Sequence, residues 1–211
     1  MYETIKAMTM LDRGILLATG IVAIYMLFVL FKKQKAKAET ENIFFIMSFA
    51  VLLVAGLILI FTNWDSLLSP FVAIVAGLIP FGLALGLIKK FYPAKFKLYL
   101  IVLTIGLIWI AVAKIGQVMC KGSIALPFFH AIAGLTIFFV PIMAVKAGKV
   151  KPGFINVTIG GTLIGLGGIA LAFIKNGGQL LFFSPLVVLT ILAPLLFLTA
   201  LFFALGLTKG E

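Results

Sequence analysis

The chain is laid out as long apolar runs separated by short polar ones. Crossing the hydrocarbon core of a bilayer takes about 20 residues of helix. Seven runs approach or meet that length: Gly14–Phe31, Ile43–Thr62, Phe71–Ile88, Leu98–Ala113, Phe128–Val145, Phe154–Ile174 and Leu186–Gly206. The fourth is the shortest and is expected to extend towards Lys114. The runs are continuously apolar, whereas membrane β-strands alternate over about ten residues, so a barrel is excluded. The predicted fold class is an all-α polytopic transmembrane bundle of seven spans, forming one integral membrane domain over residues 1–211.

The span starts repeat. Pro70-Phe71 and Pro127-Phe128 open spans three and five 57 residues apart, and Ser184-Pro185 opens span seven 58 residues later. Proline suits the first helical turn, where its missing N–H is no loss. Ser69 and Ser184 are natural N-caps before two of these prolines. Gly20, Gly77 and Gly134 keep the 57-residue spacing, as do Lys32, Lys89 and Lys146. Three parallel helical hairpins followed by a seventh helix are expected.

Within the spans, small residues and prolines break the pattern. Gly161, Gly165 and Gly168 lie on one face of span six, which predicts a central helix that its neighbours approach closely. Span three carries weaker versions in Ala73/Gly77 and Gly82/Gly86. Pro80, Pro141 and Pro194 stand in the middle of spans three, five and seven. Each removes one backbone hydrogen bond and displaces a carbonyl four residues earlier, at Ala76, Ile137 and Thr190.

Composition supports the membrane reading. Of 211 residues, 64% are hydrophobic and 11% charged, against about 25% charged in soluble domains. Mean hydropathy is +1.29. The net charge of +11 would suit nucleic acid, but the lysines sit in short loops between apolar runs, where positive charge orients a membrane protein. Nucleic acid is therefore excluded as a partner, and membrane lipid takes its place. Loops after spans one, three and five, with Lys209, hold twelve basic residues against five on the other side, namely Lys6, Arg13, Lys114, Lys121 and Lys175. That asymmetry predicts a multi-pass protein of the cell membrane, N-terminus outside and C-terminus cytoplasmic. Glu3, Lys6, Asp12 and Arg13 precede the first run, which is long enough to span, so no cleavable leader is expected. Cys120 is the single cysteine, which rules out an intrachain disulfide.

The chemistry is sparse. All six acidic residues, Glu3, Asp12, Glu39, Glu41, Asp65 and Glu211, fall outside the predicted spans. Proton relays place carboxylates at membrane depth and hard-cation sites are built from them, so both are disfavoured. A retinal Schiff base needs a lysine in span seven, and Leu186–Gly206 has none. No nucleophile–base pair or carboxylate pair has catalytic spacing, so no enzyme activity and no cofactor are expected. His130 is the only histidine. With Met119 and Cys120 nearby it is a weak candidate for a metal or haem, but a metal site usually takes three or four ligands, and none is assigned.

Arg13, Asp65, Lys114, Gln117 and His130 gather towards the outer side and are expected to line a polar pocket reaching past His130 towards Pro141. Competing roles are snorkelling for Lys114 and interfacial anchoring for Trp64. The function expected from these features is a transporter or channel-like protein for a small polar or anionic solute or lipid. The alternative is a non-catalytic membrane subunit or scaffold with partner subunits or further copies of itself, binding haem, quinone or lipid.

Overall fold

A computed structural model describes residues 7–115, 119–175 and 184–210. Among them there are seven α-helices and no strand: α1 (Met10–Ala36), α2 (Thr40–Thr62), α3 (Pro70–Phe91), α4 (Phe96–Ile115), α5 (Met119–Lys146), α6 (Ile155–Lys175) and α7 (Pro185–Lys209). All seven are long and apolar enough to cross a membrane. At about 1.5 Å per residue, even α4 is roughly 30 Å long, which matches a hydrocarbon core of about that thickness. Their outward faces are apolar, for example Leu17, Ile21, Ile24 and Phe28 on α1 and Leu98, Ile101, Ile105 and Ile108 on α4. Patches of this extent belong against lipid or protein rather than water.

The helices outrun the predicted spans because their ends are capped or continue into the loops. Thr9 and Asp12 close a capping box on α1: the Asp12 amide donates to Thr9 Oγ1 at 3.1 Å and the Thr9 amide to Asp12 Oδ2 at 2.9 Å. Asp12 therefore lies in the first turn of α1, ahead of the predicted span, and is buried. Satisfying two orphan amides at the positive helix end makes that burial tolerable. Ser184 caps α7 as expected, accepting from the Val187 amide at 3.4 Å, while Ser69 makes no side-chain cap bond. Pro127 departs further from expectation. It stands inside α5, which starts at Met119, since membrane helices absorb the one lost backbone bond more readily than soluble ones.

Each helix packs on the next in sequence, α7 returns to α1, and α3 also meets α5. The result is a closed bundle in which α3 is the most buried helix and α4 the least. The central helix is α3, not the glycine-striped α6. Its residues from Ile79 to Ile88 are buried without interruption, held by glycines that let neighbours in. A Cβ on Gly82 would stand 2.7 Å from the Phe44 carbonyl oxygen, and one on Gly86 would collide with the Phe45 ring. Of the α6 stripe, Gly161 packs on Ile137, but Gly165 and Gly168 face open space. Gly160 makes the close contact instead, with Phe203 of α7.

Two of the proline-loosened helices are tied to neighbours by hydroxyl groups. Ser48 of α2 donates to the Ile79 carbonyl beside Pro80 at 2.9 Å. Thr158 of α6 donates to the Phe138 carbonyl in the turn before Pro141 at 2.9 Å. In a membrane such bonds average about 0.6 kcal/mol each, so they set register more than stability.

The lysine-rich helix ends and loops converge at one end of the bundle, the basic end. There Lys33 donates to the Leu207 carbonyl at 3.2 Å, the Lys151 amide donates to Gly210, and Phe91 meets Phe154 edge-on. Lys89 and Lys149 sit over the rings of Phe96 and Tyr92.

Candidate functional site

At the other end the same seven helices pack less completely. A cavity of about 160 Å³ opens between α1, α2, α3, α5, α6 and α7. Its walls follow from helical spacing: Leu52, Ala55, Gly56 and Leu59 share one face of α2, and Ile164, Gly167, Gly168 and Leu171 one face of α6. Val72, Ala76, Ile79 and Pro80 form the α3 wall, while Leu192, Leu195 and Leu196 form that of α7. Each long wall of α2, α3 and α6 puts glycine or alanine at its middle. Gly56 and Gly168 have nothing within 4 Å of where a Cβ would stand. The space exists because those side chains stop short.

The floor and the cap are well filled. On the basic-end side of Pro80, Phe81 is buried and Ser48 is bonded to the Ile79 carbonyl. Above it, a 3-10 turn at Trp64–Leu68 folds across the bundle, with Leu67 on the cavity wall. Trp64 is 1% exposed and packs among Leu16, Leu59, Leu189 and Leu192. It is not the interfacial anchor its position suggested. An indole at a helix end fits either environment, and the turn decides between them. That turn begins at Asn63, a non-glycine residue at φ 58, held by a 2.7 Å hydrogen bond from the Arg13 guanidinium to Asn63 Oδ1. Ser66 donates to the Asn63 carbonyl at 3.0 Å.

Of the four described residues among the five expected to form an outer pocket, His130 alone lines this cavity. Arg13 fastens the cap from α1, Asp65 is exposed on the 3-10 turn, and Lys114 is half-buried on α4, which contributes nothing to the walls. Gln117 lies outside the described residues, as do the side chains of Met119 and Cys120. His130 projects from α5 against α3, its ring centroid 6.1 Å from that of Phe81. Its Cε1 would lie 3.7 Å from a Cβ on Gly77. Its Nδ1 is buried from solvent and makes no well-aligned hydrogen bond. Among the described residues no three His, Cys, Asp or Glu side chains converge.

Comparison with family models, curated proteins and solved structures finds no match.

The chemistry therefore has to be read from the cavity itself. Thr19, missed in the sequence because nothing distinguishes it from other span hydroxyls, is buried on the α1 wall and donates to the Ile15 carbonyl at 2.9 Å. Pro80 deprives the Ala76 carbonyl of its usual donor, and both residues line the cavity. Among the described residues, the lining side chains other than Thr19 and His130 are apolar, and none is Lys, Arg, Asp or Glu. A second polar cluster, Tyr99 of α4 donating to the Ile132 carbonyl at 3.1 Å and meeting Thr136, ties α4 to α5 away from the cavity. At the basic end Lys90, Lys149 and Lys151 line an open groove with Gly148 and Val150.

Proposed function

We propose that this is an integral membrane protein of the cell membrane that takes a small molecule into its bundle core from the outer side, in the manner of a transporter or channel-like protein. The observation that carries the reading is the cavity of about 160 Å³ shared by six helices above a closed basic half. Chance packing defects are usually smaller than a water molecule. The uncharged lining supports a neutral, mainly apolar cargo over an anionic solute, because an ion would lose its hydration there without gaining a counterion. The twelve-to-five asymmetry of basic residues supports a cytoplasmic basic end and an external cavity end. The repeat of three hairpins plus a helix belongs to the same proposal, supported by the 57-residue spacings.

Two measurements test this. Extracts of the purified protein analysed by mass spectrometry are expected to contain a small molecule at near-equimolar amount. Gly56→Leu, which places a side chain in open space on the α2 wall, is expected to deplete it. Equal recovery from both proteins would remove the basis for the site. For orientation, cysteines at Lys35, Ala94 and Lys149 in a Cys120→Ser background are expected to resist membrane-impermeant maleimides in intact cells and to react after permeabilisation. Reaction in intact cells would reverse the topology.

A further inference from the structure

Twelve lysines belong to the basic end, and among the described residues the only acids there are Glu39 and Glu41. Glu211 lies outside the described residues. Glu39 pairs with Lys37 at 2.6 Å. Three of the other lysines converge. Lys90, from the last turn of α3, and Lys149 and Lys151, from the loop between α5 and α6, line one open groove with Gly148 and Val150, and neither Glu39 nor Glu41 reaches it. The backbone that carries them is fixed. The Gly148 amide donates to the Val145 carbonyl and the Lys149 amide to the Ala144 carbonyl, both at 3.0 Å, the paired bonds of a Schellman cap. Gly148 takes the left-handed conformation that this cap needs, with φ 65. Further on, the Lys151 amide donates to the Gly210 carbonyl at 3.0 Å, and Lys149 Nζ lies 5.7 Å from the centroid of the Tyr92 ring. The groove is thus shaped before a ligand arrives, which lowers the entropy cost of binding.

The groove also borders an apolar strip. The Tyr92 hydroxyl is 3.8 Å from Met143 Sδ, and Met143 and Phe139 are both exposed, one turn apart on the same face of α5. Lysine binds phosphate groups as a point charge. An open groove holds a small free anion weakly, because water and salt screen the attraction. A lipid differs, since its chains keep the headgroup beside the groove at high effective concentration. Phe139 and Met143 offer those chains a surface next to the lysines. Resting on the reading of the chain as a membrane protein and not on the cavity, we infer that Lys90, Lys149 and Lys151 bind the headgroup of an anionic phospholipid in the leaflet at the basic end. An acyl chain of that lipid lies along Phe139 and Met143.

The test titrates detergent-solubilised protein with phosphatidylglycerol or phosphatidylcholine of the same chains, read by native mass spectrometry. Phosphatidylglycerol is expected to bind about tenfold more tightly or better, since a lysine near an anionic headgroup is worth roughly fivefold in affinity. Lys90→Gln/Lys149→Gln/Lys151→Gln should remove most of that preference. The control Lys32→Gln/Lys35→Gln/Lys97→Gln takes the same charge from exposed positions on α1 and α4, and should weaken binding by less than about threefold, as screened charges do. If the groove triple does not fold, Lys149→Gln alone, at an exposed position, should cost about fivefold. Equal losses in groove and control variants would reveal a diffuse basic surface and overturn the groove site. Equal binding of the two lipids by wild type would overturn the inference outright. Glycerophosphoglycerol, the headgroup without its chains, should fail to displace the lipid even at roughly hundredfold excess. Displacement by it, or by inorganic phosphate, at matched concentration would assign the groove to a free phosphate and overturn the lipid. Recovery of the protein from cells without detergent would overturn the membrane reading itself, which the other failures leave standing.

Discussion

At the basic end a Cβ on Gly206 would stand 2.7 Å from the Val157 amide nitrogen and one on Gly82 2.7 Å from the Phe44 carbonyl oxygen, whereas at the other end Gly56 and Gly168 look into open space. The same residue type thus does opposite work in the two halves. Where glycine faces a neighbouring backbone, the helices close up, and dispersion contacts replace lipid, the main attraction available between helices in a bilayer. Where Gly56 and Gly168 meet no neighbour, part of the cavity is left unfilled. The bundle is closely packed in one half and holds a cavity in the other.

The comparison breaks most decisively at Gly82. Gly82→Leu forces a branched side chain against the backbone of α2 and the Ser48 hydroxyl. Overpacking of a filled core costs about 3 kcal/mol or more when backbone must move, and the variant is expected to yield no monodisperse protein on size-exclusion chromatography. Gly56→Leu, the same change in the hollow half, is expected to leave elution and melting temperature unchanged or raised. Similar damage from both would show the halves to be packed alike.

A second, smaller effect sharpens the role of the cap. Trp64→Ala empties a buried site and is expected to cost about 3 kcal/mol, the lower end for a large aromatic. A cysteine placed at Gly168 in a Cys120→Ser background should then react faster with a small water-soluble thiol reagent. Trp64→Phe should restore both stability and slow labelling, because Trp64 Nε1 has no hydrogen-bond partner to lose. Unchanged labelling in Trp64→Ala would mean that the turn at Trp64–Leu68 does not cover the cavity.

The contrast also shows what the residues alone could and could not reveal. Seven spans were legible because length and continuous apolarity are local properties, and the gathering of Lys33, Lys89 and Lys149 at one end follows from their loops. Which helix is central was not legible. The Gly161/Gly165/Gly168 stripe is the stronger motif, yet the Gly82/Gly86 pair marks the core, since a stripe states how near a neighbour can come and topology decides whether one arrives. Trp64 was misplaced for a related reason: an indole at a helix end fits the interface and the interior equally, and the choice lies in the turn at Asn63. His130 was singled out, but Thr19 and the glycine-lined walls emerge only once α1, α2 and α6 are brought together. Pro80 signalled a loosened turn without saying that it would border a cavity.

The smallest expected effect lies at the rim of the basic end, in the loop after α1, and tests whether the seal is made by packing or by charge. Lys37 Nζ stands 2.6 Å from Glu39 Oε1 beyond the end of α1. The hydrogen bond to Glu39, then its charge, raise the Lys37 pKa above 10.5, with Glu41 adding a little. A lysine pKa raised on folding stabilises the native state while the unfolded chain still holds its proton. That stabilisation is complete below about 10.5 and fades as pH rises through the higher folded value. Wild type and Glu39→Gln should therefore differ by a constant, small amount in melting temperature at neutral pH, and the gap should narrow only in the alkaline range above 10.5. Lys37 is exposed, so water and salt screen the pair and the gap should shrink further as salt is added. If Glu39→Gln instead weakened the protein as severely as Gly82→Leu, ion pairing would be holding the basic end together. The close glycine contacts would then be a consequence of the seal and not its cause.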